Sequence, residues 1–385
     1  MMNWRRRIRA GKQAGQGMKN FLIAALLALA GGSSAFAQTA PTVTPGMDGI
    51  FDAFKTHPLV GIAEHHRVAQ ELDFYNALVR DPRFAAEVGN VVVEFGGAIR
   101  QDIIDRYVNG EDVPYTELRK VWTDTVGWLP VVTAVGYPAF FAQVRETNLG
   151  LPREKRIHVW LGEPVIDWDK LKTHADWQAL NATRDVKPVE VIEKQILAPQ
   201  KKALIIYGYG HFTRLVPGIA REKLKKAGWR EVWAEAIRRD HPGALFVVLP
   251  YGGTEDNACA QDMESRMTDW PIPALAMPLK GSATAAKLRL CNTIKAENYP
   301  FPPGFTDAEK KQVLDFEADT ASYADALLYL GPKSSLTISP YIPDLYLDLD
   351  LDYGRTVARH HELQTGEKYP TYLIKDYMRP RKVWR

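Results

Sequence analysis

Short apolar runs alternate with helix-like stretches along most of the chain. Runs that are apolar at nearly every position are typical of strands buried on both faces, and they span residues 59–64, 91–95, 156–164, 203–211, 244–250 and 324–331. Helical spacing follows the first two runs, at about 68–80 and 98–108, the second after a turn at Gly96 and Gly97. The pattern predicts an α/β fold with a mostly parallel sheet flanked by helices.

The remaining regions predict additions to this framework. Residues from about 110 to 150 contain several aromatic side chains and few strand signals, which favours a helical insertion. The proline-rich region 271–303 predicts an irregular surface connection. Residues 332–385 predict an irregular C-terminal extension along an edge, where the acidic alternation at 347–352 is typical of an edge strand.

Residues 1–37 have the organisation of a secretory signal peptide. A basic start precedes an apolar core at residues 21–30, and Ala35-Phe36-Ala37 is a small-x-small cleavage signal. The core is too short for a permanent transmembrane helix. The residue directly after the cleavage site is Gln38 and not cysteine, so a lipid anchor is not indicated. We therefore expect cleavage after Ala37, a periplasmic or secreted protein without a permanent membrane anchor, and one α/β domain over residues 38–385.

The positive charge of the chain belongs to this export signal. Removing its six basic residues changes the formal net charge from +3 to about −3. A nucleic-acid partner therefore loses its compositional support, and a small-molecule or peptide substrate is expected instead. Cysteine is sparse: Cys259 and Cys291 either form a disulfide in an oxidising compartment or are two unrelated buried thiols.

Acids and histidines stand at the ends of three predicted strands. The run at 59–64 ends in Glu64 and is followed by His66, the run at 91–95 contains Glu94, and the run at 203–211 ends in His211. The carboxyl edge of a parallel sheet is where α/β proteins bind ligands. Carboxylates and imidazoles that meet there either hold a divalent metal or act as general base and general acid on water. The structural alternatives are buried ion pairs and strand-end caps.

Two arginines follow these strand ends. Arg100 comes shortly after Glu94, and Arg214 comes three residues after His211. Either side chain could bind an anionic group or stabilise an oxyanion, and the alternative for each is a solvated surface position. The sequence lacks the G-x-S-x-G elbow, the H-E-x-x-H helix, the phosphate-binding loop and the complete dinucleotide fingerprint, which disfavours serine hydrolases, zincins, ATPases and Rossmann oxidoreductases.

The chain resembles one superfamily in three motifs. These are E-x-H (Glu64, His66), the strand with Glu94, and G-x-x-H (Gly208 to His211). It joins the erythromycin esterases, the Tiki and TraB-type metalloproteases and the ChaN-type haem-binding proteins. Ala63 stands where the first G-x-x-H motif of Tiki-like members would have glycine.

The resemblance implies a hydrolase that activates water with Glu64, His66, Glu94 and His211, as an esterase or a metallopeptidase. With a metal such as Mn, Co or Zn, these four residues would be its ligands. Without a metal, we expect His66 to be the general base and His211 or an arginine to stabilise the oxyanion. The alternative is a non-catalytic haem- or ligand-binding protein of the ChaN-like kind, for which Tyr207, Tyr209 and the histidines are candidate axial ligands.

Overall fold

The computed structural model describes residues 40–127, 134–226, 230–253, 257–292, 301, 304–342 and 351–368. The predicted signal peptide lies outside these residues. The strands in the described part are β1 (Thr42–Pro45), β2 (Leu59–Glu64), β3 (Asn90–Gly97), β4 (His158–Glu163), β5 (Ala203–Gly208), β6 (Leu245–Pro250), β7 (Ala274–Met277) and β8 (Ala326–Tyr329).

These eight described strands form one sheet in the order β1-β7-β8-β6-β2-β5-β3-β4. β2 pairs in parallel with β5 and β6, β3 with β4 and β5, and β6 with β8. β7 is antiparallel to both of its neighbours, β1 and β8. The predicted α/β fold with a mostly parallel sheet is confirmed.

Helices surround the sheet. The first group is α1 (Gly46–Thr56), α2 (Ala69–Arg80), α3 (Gln101–Val108), α4 (Tyr115–Leu118), α5 (Lys120–Thr123), α6 (Gly136–Leu149) and α7 (His174–Asn181). The second group is α8 (Val186–Val191), α9 (Arg221–Lys226), α10 (Trp233–Asp240), α11 (Asn257–Ser265), α12 (Ala283–Cys291), α13 (Asp307–Glu317) and α14 (Leu351–Thr365). Short π-helical segments occur at Phe84–Val88 and Ile192–Leu197.

The central strands are buried on both faces. In β2, Val60 and Ile62 belong to the apolar cluster on one side of the sheet, whereas Leu59 and Ala63 belong to the cluster on the other. Alternate residues of a strand point to opposite faces, so a strand covered on both sides must be apolar at every position. This arrangement is the physical reason for the continuous apolar runs in the sequence.

The structure corrects several local predictions. The expected turn at Gly96 and Gly97 is still part of β3. The region 271–303, expected to be an irregular connection, contains β7 and α12. Most of the acidic stretch 347–352 lies outside the described residues, and its last two residues begin α14 instead of continuing an edge strand.

Cys259 and Cys291 form a disulfide whose Cα atoms are 5.6 Å apart. It joins α11 to α12 and is compatible with an oxidising compartment. Within the described residues, no helix is both long and apolar enough to cross a membrane.

Candidate functional site

Four neighbouring parallel strands bring polar groups to one edge of the sheet. In the order β2-β5-β3-β4, this edge carries Glu64, Gly208, Glu94 and Glu163. Glu94 follows Val93, which is the last residue of β3 paired with β5. The register of β3 with β4 shifts after Val93, as it does at a bulge. The Glu94 carboxylate can therefore reach the end of β5.

Glu94 is the centre of the site. Its Oε2 atom accepts a hydrogen bond of 2.5 Å from the backbone N–H of Gly208. Its Oε1 atom lies 2.8 Å from Nη2 of Arg184 and 3.3 Å from Nε2 of His211. Burial of Glu94 opposes its ionisation, but the nearby charges of His211, His66 and Arg184 outweigh burial and hold its pKa well below the usual range. Glu94 is a fixed, ionised carboxylate.

His211 is held between two carboxylates. Its Nδ1 atom lies 2.6 Å from Oδ1 of Asp185, and its Nε2 atom faces Glu94. Asp185 itself accepts a hydrogen bond of 3.2 Å from the backbone N–H of Trp233. Burial of His211 would lower its pKa, but Glu94 and Asp185 raise the pKa to about 9. Asp185 therefore orients the ring and favours the imidazolium form.

His66 is the accessible member of the cluster. Its side chain is 36 % exposed, whereas that of Glu64 is 2 % exposed. Its Nδ1 atom donates to Oε1 of Glu64 at 3.2 Å, and the same oxygen accepts a hydrogen bond from the Tyr137 hydroxyl. Burial would lower the pKa of His66, but the hydrogen bond to Glu64 and the charge of Glu94 raise it to about 9.

The Nε2 atom of His66 and the Oε2 atom of Glu94 both lie beside Gly208. A Cβ atom built on Gly208 would come within 2.5 Å of His66 Nε2 and 3.2 Å of Glu94 Oε2. Only glycine leaves room for the ring to approach the strand end this closely. His211 therefore contacts Glu94, His66 lies beside the same strand end, and each imidazole has its Nδ1 atom held by another carboxylate.

Arg184 links Glu94 to the end of β4. Its Nη2 atom donates to Oε1 of Glu94 and also to Oε1 of Glu163. Burial and the charge of Glu94 raise the pKa of Glu163, although Arg184 acts in the opposite direction. Arg184 thus bridges two buried acids that would otherwise repel each other.

Four residues of this cluster were not predicted as site residues: Tyr137, Glu163, Arg184 and Asp185. A signal was present for Glu163, because it ends an apolar run in the manner of Glu64. Tyr137 belonged to the predicted aromatic insertion. Arg184 and Asp185 precede α8 in a segment of mixed charge, and no local pattern distinguishes them from solvated residues.

The two predicted arginines lie elsewhere. Arg100 forms an ion pair with Asp124, with Nη2 and Oδ2 2.6 Å apart. Arg214 is exposed and lines a separate cavity. His65 contacts Glu71 instead of the cluster, with a distance of 3.1 Å between Nδ1 and Oε1. The structure therefore brings together Glu64, His66, Glu94 and His211 but neither of these arginines.

Most of the oxygen and nitrogen atoms that could bind a metal already contact one another within the cluster. Both oxygens of Glu94 accept hydrogen bonds, and both histidines contact carboxylates through Nδ1. Across the described residues, no group of three or more His, Cys, Asp or Glu side chains is arranged to hold a metal ion. Of the candidate haem ligands, Tyr207 is 1 % exposed within the sheet core, and Tyr209 is 53 % exposed.

No known protein family and no curated protein matches the chain. Two solved structures are similar to it. The structure of the type III effector HopBA1 is 14% identical with a TM-score of 0.34, over 58% of this chain and 91% of that one. A Bacillus cereus protein is 11% identical with a TM-score of 0.44, over 76% of this chain and 95% of that one. Neither similarity identifies a family or an activity.

Proposed function

We propose that the protein is an exported hydrolase that activates water at the Glu94 carboxylate. The observation that carries the proposal is the contact of Glu94 with His211 beside a second imidazole, that of His66, with each ring oriented by another carboxylate. A proton-transfer group whose geometry is fixed by a third residue is the arrangement used in general acid–base and nucleophilic catalysis. The disulfide is compatible with export.

The pKa shifts support complementary roles for Glu94 and His66. Around neutral pH, the depressed pKa of Glu94 leaves a carboxylate, and the pKa values of about 9 leave His66 and His211 protonated. Glu94 then accepts the proton of the attacking water. The exposed His66 imidazolium stabilises the oxyanion and donates a proton to the leaving group. His66 is therefore proposed as the general acid, not as the general base that the sequence suggested.

The proposed substrates are esters or peptides. This choice rests on the resemblance of the E-x-H and G-x-x-H motifs to the erythromycin esterase, Tiki and ChaN superfamily. Both substrate classes form a tetrahedral oxyanion when water attacks the carbonyl carbon, and an accessible imidazolium is suited to stabilise it.

A metal-assisted form is the second version of this proposal. A histidine that binds a metal through Nε2 ordinarily donates its Nδ1–H to a carboxylate, which His66 and His211 both do. A bound Mn, Co or Zn ion would supply a water of lowered pKa. In the metal-free version, Glu94 acts directly on water.

The experiment is a hydrolysis assay on residues 38–385. The protein is tested against a panel of p-nitrophenyl esters and fluorogenic peptides, together with the variants Glu94→Gln, His66→Gln and the control His65→Gln. General acid–base groups contribute about 10²–10⁴-fold to rate. We expect kcat to fall by that factor in the first two variants and to stay near wild type in the control, with unchanged circular dichroism in all three.

Elemental mass spectrometry separates the two versions. Stoichiometric metal in the wild type that is lost in His66→Gln and His211→Gln supports the metal-assisted form. No metal after soaking in Mn, Co and Zn, with hydrolysis retained, supports direct activation by Glu94. Absence of hydrolysis of the whole panel, or full activity in Glu94→Gln, contradicts the proposed function.

A further inference from the structure

A cavity of about 1060 Å³ lies at the other edge of the sheet. Leu245, the first residue of β6, lines it, as does Asp325, which immediately precedes β8. His57, two residues before β2, lines it as well. Because these strands are parallel, the cavity borders their amino ends, whereas Glu94 lies towards the carboxyl ends.

Cationic side chains face this cavity: Arg214, Arg238, Lys280 and Arg289. Arg238 is fixed by two backbone carbonyls, because Nη1 donates to Phe212 O at 3.0 Å and Nη2 donates to Tyr323 O at 2.7 Å. Because carbonyl oxygens carry no formal charge, these hydrogen bonds do not neutralise Arg238. Among the described residues, neither Arg238 nor Arg214 forms an ion pair with a carboxylate. The charges of Asp325 and Glu235 act on Arg238 from a longer distance, so neither guanidinium group has a direct carboxylate partner among the described residues.

Three acidic side chains also line the cavity, namely Asp315, Asp319 and Asp325. Asp325 Oδ2 accepts a hydrogen bond of 2.7 Å from the backbone N–H of Val247. Asp315 Oδ2 lies 2.5 Å from Nζ of Lys311. Burial and the charge of Arg214 lower the pKa of Arg238 to about 10, as expected of two guanidinium groups that repel each other. Because Lys311 pairs with Asp315, the four cationic side chains of the wall face only two further acids, Asp319 and Asp325, and the net charge of the wall is positive.

The start of α12 adds to this positive field. Gly281, Ser282 and Ala285 line the cavity, and the Ser282 hydroxyl caps the helix by accepting from the N–H of Ala285 at 3.1 Å. The amino end of a helix carries a partial positive charge, which favours an anion.

We propose that this cavity binds a small organic anion through a phosphate or carboxylate group. The exposed guanidinium group of Arg214 presents a planar donor fork that suits either oxyanion, and Arg238 adds a positive charge that two backbone carbonyls hold in place. The volume is at the upper end of that of small-molecule sites, about 300–1000 Å³, so the occupant is larger than a bare ion. The site is separate from Glu94, and its occupancy does not depend on the proposed hydrolysis.

Isothermal titration calorimetry on residues 38–385, in a low-salt buffer free of oxyanions, tests the site. The probes are inorganic phosphate and citrate, each raised to about 10 mM, which detects a Kd near 1 mM. Arg214→Gln removes an exposed guanidinium without disturbing a described ion pair. Arg80→Gln at the end of α2 is the matched control, because Arg80 is also exposed and lies away from the cavity.

We expect saturable binding of at least one probe, with a Kd about tenfold weaker in Arg214→Gln and unchanged in Arg80→Gln, since a charge-assisted hydrogen bond is lost only in the first. Binding of phosphate alone identifies a phosphorylated ligand, and binding of citrate alone identifies a polycarboxylate. No saturable binding of either probe, or equal affinities in wild type and Arg214→Gln, overturns the proposal.

Discussion

The imidazole ring of His66 packs so closely on the backbone of Gly208 that a Cβ atom there would lie 2.5 Å from Nε2. The backbone of Gly208, with φ −56° and ψ 142°, is open to any residue. Gly208→Ala is therefore expected to fold but to displace His66 from Glu94. Because small misplacements of a reacting group cost about 10²-fold in rate, hydrolysis should fall by that order, and the NMR titration midpoint of His66 should drop below about 9.

Gly210→Ala is the matched control for this displacement. A Cβ atom on Gly210 meets nothing within 4 Å, so the variant adds the same methyl group two residues away without crowding the cluster. Both the rate and the His66 titration should match the wild type. An unchanged His66 midpoint in Gly208→Ala would show that the close approach does not hold the ring against Glu94.

The sequence predicts the parts of this site that depend on strand periodicity. β2, β3 and β5 are continuous apolar runs because both of their faces are buried, and their ends identify Glu64, Glu94 and His211. β1 and β7 have four residues each and lie together at one edge of the sheet. Such short strands carry little periodic signal, and their pairing depends on tertiary contacts.

The remaining site residues depend on long-range packing. Arg184 is 90 residues from Glu94 in sequence, and Tyr137 is 73 residues from Glu64. No local pattern encodes such distances, so these partners were not predictable from spacing. Conversely, Arg100 is close to Glu94 in sequence, yet the structure pairs it with Asp124.

Asp185 is expected to control the titration of His211. Its carboxylate lies 2.6 Å from His211 Nδ1 and raises the pKa of the ring. Asp185→Asn keeps an oxygen acceptor but removes the negative charge, so the pKa of His211 should fall from about 9 towards its ordinary value. NMR titration of the histidine Cε1–H resonances measures this shift directly. A midpoint that stays near 9 in this variant would contradict the role of Asp185.

The raised pKa of His211 also predicts how stability depends on pH. A group whose pKa is 6.5 in the unfolded chain and about 9 in the folded protein binds its proton more tightly when folded. Its contribution to stability is complete below about pH 6.5 and is lost as the pH rises through about 9. Urea denaturation between pH 6.5 and 9.5 should therefore show a falling free energy of unfolding, with a smaller fall in His211→Gln. Parallel curves for the two proteins would be inconsistent with this linkage.

The disulfide between Cys259 and Cys291 should stabilise the fold independently of the site. It closes a loop with a sequence separation of 32, for which the chain-entropy model gives about 3–4 kcal/mol. The double variant Cys259→Ser with Cys291→Ser should lose about that much free energy of unfolding in urea. Dithiothreitol should destabilise the wild type but leave the double variant unchanged. A wild type insensitive to the reductant would argue that the two thiols do not pair.

Arg184 is expected to be the most costly residue of the site to replace. Its guanidinium contacts both Glu94 and Glu163, whose side chains are 10 % and 1 % exposed. Arg184→Gln removes the cation that the two buried carboxylates share and leaves Glu94 only its imidazole neighbours, and the loss of one partner costs about 3–5 kcal/mol in comparable buried pairs. Glu163→Gln in the same chain removes one of the two charges and should recover part of the loss.

The coupling between Arg184 and Glu163 is measured by urea denaturation of the two single variants, the double variant and a control. Arg239→Gln is the control, because Arg239 pairs with Glu231 and Asp240 at the surface, where its side chain is 44 % exposed. Exposed pairs contribute about 0–1 kcal/mol, so the control should lose little. If Arg184→Gln costs no more than Arg239→Gln, Arg184 does not neutralise the two acids, and the low pKa of Glu94 rests on His211 and His66.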